Sequence, residues 1–111
     1  MFHKTRQGAV NIIAGSLPLT RESAESLTNI VEQCCGEGPP LVVLDMAEIP
    51  LMDSVGLETL LAIQEQVESH SGTVKLAGPN ALCRDILNAT GLIHQFEIHR
   101  EAKSAVGSFL H

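Results

Sequence analysis

The sequence predicts a small α/β domain: a mixed, mostly parallel sheet of about five strands packed with about four helices. Three observations predict it. Strand-like and helix-like segments alternate in the order β-β-α-β-α-β-α-β-α, and strands separated by helices need crossover connections, which give parallel pairs. Leu41-Val42-Val43-Leu44 is a short, wholly apolar, partly β-branched run, the pattern of a strand covered on both faces. Gln7-Gly8 supplies a tight turn between the first two strand-like segments, which adds one antiparallel edge strand. At 111 residues, 44% of them hydrophobic, the chain reads as a single domain over 1–111, long enough to bury a core without disulfides or metal.

The elements follow in order. Lys4–Arg6 and Ala9–Ala14 are the two hairpin strands, and Gly15-Ser16-Leu17-Pro18 opens a loop. Thr20 offers an N-cap hydroxyl, with Glu22 and Glu25 near the positive end of the helix dipole. Ala24, Leu27, Val31 and Cys34 form one apolar helical stripe, which Gly36 and Gly38-Pro39-Pro40 terminate. After the strand at Leu41–Leu44 comes a loop, then a helix from about Val55 to His70 with Leu57, Leu60, Leu61 and Val67 on its apolar side. Thr73–Ala77 is the next strand. Gly78-Pro79 opens a third helix, with proline at the first helical position; Leu82, Ile86 and Leu87 are its expected buried face and Gly91 its C-cap. Phe96–Ile98 is a last short strand. Glu101–Leu110 is a final amphipathic helix, with Ala102, Ala105, Val106, Phe109 and Leu110 on one side. It covers the sheet or exchanges between chains in a dimer.

Charge narrows the function. The net charge is −6, and between Glu22 and Val74 ten acidic residues (Glu22, Glu25, Glu32, Glu37, Asp45, Glu48, Asp53, Glu58, Glu65 and Glu68) meet no Lys or Arg. A nucleic-acid binder needs a basic stripe, which this central half lacks. With no Trp, no Tyr and three Phe, base stacking is excluded as a main device. The acidic window is either a solvated face or a face for a basic partner. No apolar run approaches a membrane span, and Met1-Phe2-His3-Lys4 leads into polar residues, unlike an export signal. Cys34, Cys35 and Cys83 fit neither a disulfide framework nor a zinc site. They read as reduced thiols in a cytoplasmic protein. The five histidines are scattered, with no helical metal pair.

The stretch Asp45-Met46-Ala47-Glu48-Ile49-Pro50-Leu51-Met52-Asp53-Ser54-Val55-Gly56-Leu57 joins the end of a central strand to a helix, the edge where open α/β sheets hold their sites. Ser54 is placed as N-cap of that helix. A phosphate on it would meet the helix dipole and free backbone donors while adding charge beside Asp53 and Glu58. Asp-Ser before a helix is equally a common cap pair. Leu51 and Met52 read as core or as a partner hot spot. Gly56 costs helix propensity, so it serves either access to the backbone donors or close packing of the helix. Neither a G-x-S-x-G elbow nor a phosphate-binding or dinucleotide motif is present, so no catalytic residue, cofactor or metal is expected.

The run Leu41-Val42-Val43-Leu44-Asp45 followed by Met52-Asp53-Ser54-Val55-Gly56-Leu57 resembles the STAS domain and, more narrowly, bacterial anti-sigma factor antagonists. The likeness covers nearly the whole chain. It takes in the Gly15 turn, the Gly72 turn before Val74-Lys75-Leu76, and Thr90-Gly91-Leu92 followed by Phe96. The resemblance implies a small α/β domain and a non-enzymatic regulator. Its serine at the position of Ser54 would be phosphorylated by an anti-sigma factor with serine kinase activity and reset by a serine phosphatase. Asp53, Ser54, Val55, Gly56, Ser16, Leu51 and Met52 are the implied partner-binding residues. The first loop departs from the family pattern: Gly15-Ser16-Leu17-Pro18 stands where many members carry Gly-Glu-Leu-Asp. Related STAS proteins serve as adaptor subunits of membrane lipid-transport ATP-binding-cassette systems, which is the alternative function.

Overall fold

The computed structural model describes residues 1–36 and 38–110. Glu37 of the acidic window and His111 lie outside them. Five strands, β1 (His3–Gln7), β2 (Val10–Ala14), β3 (Leu41–Asp45), β4 (Thr73–Ala77) and β5 (Glu97–His99), alternate with four helices. These are α1 (Arg21–Cys34), α2 (Ser54–Ser69), α3 (Ala81–Thr90) and α4 (Ala102–Phe109), with a single 3₁₀ turn at Leu92–His94. The sheet order is β1-β2-β3-β4-β5. β1 and β2 are antiparallel, and every later neighbour is parallel. The mixed, mostly parallel sheet therefore stands as the sequence predicts it.

The hairpin turn falls one residue later than expected. Gln7 pairs with Val10, so Gly8-Ala9 is the two-residue loop. Gly8 has φ +60° and Ala9 does not enter the left-handed region. A positive φ at the first loop position alone is the type II′ pattern, whose twist suits the strands it joins.

Strand periodicity divides the core in two. Ile13, Val42, Leu44, Val74 and Leu76 point to one face, where Leu27 and Val31 of α1, Leu60, Ile63 and Val67 of α2, and Cys83 and Leu87 of α3 cover them. Three successive crossovers of one hand place all three helices there. Val10, Val43 and Ala77 point the other way, against Ala105 and Val106 of α4. Val42, Val43 and Leu44 are fully buried, which is why that run is apolar at every position. α4 thus covers the sheet of its own chain.

α3 begins later than expected. Its N-cap is Asn80, whose side chain accepts from the Cys83 N–H, so Pro79 precedes the helix rather than opening it. The buried residues are Cys83 and Leu87. Leu82 is 51% exposed, contrary to its expected place in the core. Gly91 caps the C-terminus as expected. At the far end, Leu110 lies outside α4 and is exposed.

A polar cluster fixes α4. Lys75 of β4 is buried, and its Nζ donates to Ser108 Oγ at 2.6 Å and to Glu97 Oε2 at 2.9 Å. It also sits 4.1 Å from the centre of the Phe109 ring. His99 Nε2 meets the same Glu97 oxygen. The hydrogen bonds from Lys75 and His99 hold the Glu97 carboxyl below its ordinary value of 4.5. A depressed folded-state pKa gives stability that is present above the ordinary value and lost as pH falls through the folded one. Acid titration below about pH 4.5 should therefore loosen α4 before the rest of the fold. Because Glu97 is half exposed, Glu97→Gln should cost about 1 kcal/mol or less. Lys75→Met, which replaces a buried cation by an apolar chain, should be within about 1 kcal/mol of neutral. Thermal melts at pH 7 and pH 4 check both.

Candidate functional site

The loop from β3 to α2 is held by buried residues at every third position. Met46 and Ile49 are fully buried and Met52 is 5% exposed, while Ala47, Glu48, Pro50, Leu51 and Asp53 are exposed. Backbone bonds complete the anchoring. The Met46 N–H donates to Ala77 O at 2.8 Å and the Ile49 N–H to Met46 O at 3.1 Å. The segment before α1 lies alongside: Leu19 N–H donates to Leu51 O at 2.9 Å, Asp53 N–H to Leu19 O at 3.3 Å, and Leu19 and Met52 form a parallel bridge. From the other flank, Asn80 Nδ2 donates to Ile49 O at 3.3 Å and Pro50 O at 3.2 Å. A loop of irregular backbone is thereby fixed on both sides.

The helix start differs from the sequence reading in one respect. Asp53, not Ser54, is the N-cap: its Oδ1 accepts from the Gly56 N–H at 2.9 Å. Ser54 is the first helical residue, exposed, and its hydroxyl has no hydrogen-bond partner among the described residues. The carboxylate outcompetes the hydroxyl for the cap because a charged acceptor binds the first-turn donors more strongly. The N–H groups of Ser54 and Val55 have no acceptor among the described residues, so the positive end of α2 opens to solvent beside an uncommitted hydroxyl.

Gly56 resolves between its two readings. A Cβ there would lie 2.1 Å from Leu19 O and 3.0 Å from Leu19 C. The backbone of the preceding segment therefore occupies the side-chain space, and packing is the reason for glycine. The contact is with the Leu19 segment rather than with a strand of the sheet.

The remaining implied site residues fall into two groups. Leu51 is 41% exposed and, with Asp53, Ser54 and half-buried Val55, makes a continuous outward surface. Met52 and Gly56 are buried and act on that surface only by placing it. Ser16 is exposed but lines a cavity of about 320 Å³ with His3, Asp45 and Glu48, a cavity to which Ser54 does not contribute. The structure brings Leu51, Asp53, Ser54 and Val55 together and leaves Ser16 in a separate recess. Sequence reasoning missed Leu19 and Asn80. The Pro18-Leu19 and Gly78-Pro79-Asn80 turns were their only local signal.

The acidic window maps onto this side of the molecule. Glu22, Glu25 and Glu32 on α1 and Glu58, Glu65 and Glu68 on α2 are exposed. Thr20 Oγ1 donates to Glu22 Oε2 at 2.8 Å and lowers that carboxyl, against a smaller upward push from Asp53. Burial pushes the thiols of Cys34, Cys35 and Cys83 up, which keeps them protonated and unreactive. Among the described residues there is no group of three or more metal-ligating side chains and no helix long and apolar enough to cross a membrane.

Asp53→Ala should cost about 1 kcal/mol through the lost cap, whereas Ser54→Ala should stay within about 0.5 kcal/mol of the parent. Gly56→Ala forces backbone apart and should cost about 1–3 kcal/mol. Urea unfolding of the three variants checks the order.

By structure, the chain is similar to several solved proteins. A Thermotoga maritima protein provisionally described as an anti-sigma factor antagonist superposes with a TM-score of 0.90 at 20% identity, covering 99% of this chain and 95% of that one. A sulfate transporter family protein from Wolinella succinogenes gives 0.82 at 22% identity, covering 95% and 88%. The phosphorylated form of the Bacillus cell fate determinant SpoIIAA gives 0.74 at 15% identity, covering 98% and 99%. No curated protein matches the chain by sequence. These likenesses establish a shared fold. The STAS domain model matches residues 2–105, nearly the full length over which the sheet, the three covering helices and the Asp53-Ser54 loop have been described, and the chain belongs to the STAS domain family.

Proposed function

We propose that this chain is an anti-sigma factor antagonist: a non-enzymatic protein-binding switch whose unmodified form binds an anti-sigma factor with serine kinase activity. The observation that carries the reading is Ser54, an exposed and uncommitted hydroxyl on the first turn of α2. The loop before it is fixed by Met46, Ile49 and Met52. Kinases transfer phosphate to a hydroxyl that reaches them without unfolding the substrate, and the geometry supports that. The likeness to an anti-sigma factor antagonist and to a protein solved in its phosphorylated form supports the same reading.

The switch would work by charge. A phosphate adds about −1.5 to −2 on a surface that already carries Asp53 and Glu58. The helix dipole of α2 and the free N–H groups of Ser54 and Val55 make that charge tolerable to the fold. At an interface shaped for a neutral hydroxyl it brings repulsion and desolvation cost, and the partner is released. A serine phosphatase would restore the binding form.

A second reading follows from the likeness to a transporter-family protein. Here the chain is a constitutive adaptor of a membrane lipid-transport system and Ser54 is never modified. Co-purification separates the two: a soluble ATP-binding kinase supports the switch, a transporter ATPase subunit the adaptor.

Intact-mass measurement after incubation with the cognate kinase and ATP should show one added phosphate, absent in Ser54→Ala. Ser54→Asp should remain as stable as the parent, since a carboxylate in the first turn suits the dipole. It should nonetheless bind the kinase more weakly, while Ser54→Ala binds normally. A mass gain that persists in Ser54→Ala, or an aspartate variant that binds better than the alanine one, overturns the switch.

A further inference from the structure

Among the described residues four large hydrophobic side chains are exposed: Met1, Leu51, Leu82 and Leu110. Met1 and Leu110 lie at the two ends of the described chain. Leu51 and Leu82 are internal, and both stand at the C-terminal edge of the sheet. Single exposed leucines need no explanation, but these two are coupled. Asn80, the N-cap of α3, uses both ends of its amide. Its Oδ1 accepts from Cys83 N–H at 2.8 Å, and its Nδ2 donates to the carbonyls of Ile49 and Pro50. The turn of α3 that carries Leu82 is thus clamped to the loop that carries Leu51 and leads to Ser54. Neither leucine has to be ordered on binding, which lowers the entropy cost of using them.

Charge around the pair is one-sided. Glu48, Asp53 and Glu58 are exposed on the loop and α2, and Asp85 on α3. Between Glu22 and His99 the only cations are Lys75 and Arg84, and Lys75 is buried under α4. An apolar pair inside an acidic rim fits a protein surface with an apolar socket and a cationic border.

We propose that Leu82 is a second anchor for the serine kinase, engaged together with Leu51 so that the partner grips α3 as well as the Ser54 loop. This rests on the reading of the chain as a kinase-binding switch. It adds that specificity for the partner is set partly on α3, away from the residue that is modified. The occupant is the kinase and not a second copy of this chain, because two such acidic rims would face each other with like charge.

The test is titration calorimetry of the unmodified chain with its cognate kinase and ADP, and steady-state phosphorylation with ATP. Leu82→Ser and Leu82→Ala should weaken binding by tenfold or more and raise KM for phosphorylation, with kcat unchanged, since the lost contact is remote from the transferred phosphate. Their melting temperatures should stay at the parent value, which separates a lost anchor from a damaged fold. Leu110→Ser, an equally exposed leucine elsewhere, should bind like the parent. If both Leu82 variants bind within twofold of the parent, the anchor is overturned and the switch stands. If the parent itself neither binds nor is phosphorylated, both are overturned. A parent that sediments as a dimer, with Leu82→Ser monomeric, also overturns the anchor in favour of self-association.

Discussion

The backbone contact between Leu19 and the first turn of α2 is the constraint on which the rest of the site depends. Leu19 O occupies the space that a Cβ on residue 56 would need and accepts the Asp53 N–H. Its N–H returns to Leu51 O. Only glycine permits this approach, and the approach makes the loops before α1 and α2 a single unit. Leu19 itself is fully buried, so the contact also seals the end of the core between the two helices. Displacing it would move Asp53, release the cap and disorder the turn that presents Ser54. A substitution with no exposed surface of its own would then change the exposed surface.

The two faces of the sheet are stabilised by different means. The face under α1, α2 and α3 is a continuous apolar layer running from Phe2 to Phe96, where burial of hydrocarbon dominates. The face under α4 is small, built on Val10, Val43, Ala77, Ala105 and Val106. There the buried Lys75 is satisfied by Ser108, Glu97 and the Phe109 ring. A buried charge left unpaired would be costly, so this cluster contributes mainly by fixing where α4 sits. The site lies at the end of the sheet, anchored to the larger and drier layer.

Periodic signals carried the fold well. The both-faces-apolar run of β3, the helical stripe of α1 and the alternation of strands with crossovers follow from side-chain burial, which is written into residue type. What was not legible depended on competition between neighbouring groups. Asp53 and Ser54 are both good caps, and nothing local says which one the chain geometry will choose. Pro79 and Asn80 present the same ambiguity at α3. Placing the start of the helix at Pro79 brought Leu82 into the expected core, whereas a start at Ala81 leaves Cys83 and Leu87 facing inward and Leu82 outward. The shift of the hairpin turn from Gln7-Gly8 to Gly8-Ala9 is of the same kind: glycine marked the turn but not its register. Leu19 and Asn80 escaped because their roles are contacts across the sheet edge, between residues about thirty apart.

That the cap is Asp53 bears on how a switch could be built here. Had Ser54 been the cap, its hydroxyl would be committed to the backbone, and any modification would trade a local bond for a new charge. Stability and signalling would then be coupled through one atom. With Asp53 holding the Gly56 N–H, the hydroxyl of Ser54 contributes nothing to the fold and is free for chemistry. The helix dipole, available through the unpaired N–H groups of Ser54 and Val55, can then offset an added negative charge within the protein itself. The surrounding carboxylates of Asp53 and Glu58 act in the opposite sense on whatever docks outside. The division of labour between adjacent residues lets a charge be nearly neutral for folding and strongly unfavourable for binding, and a modification-controlled interface needs that separation.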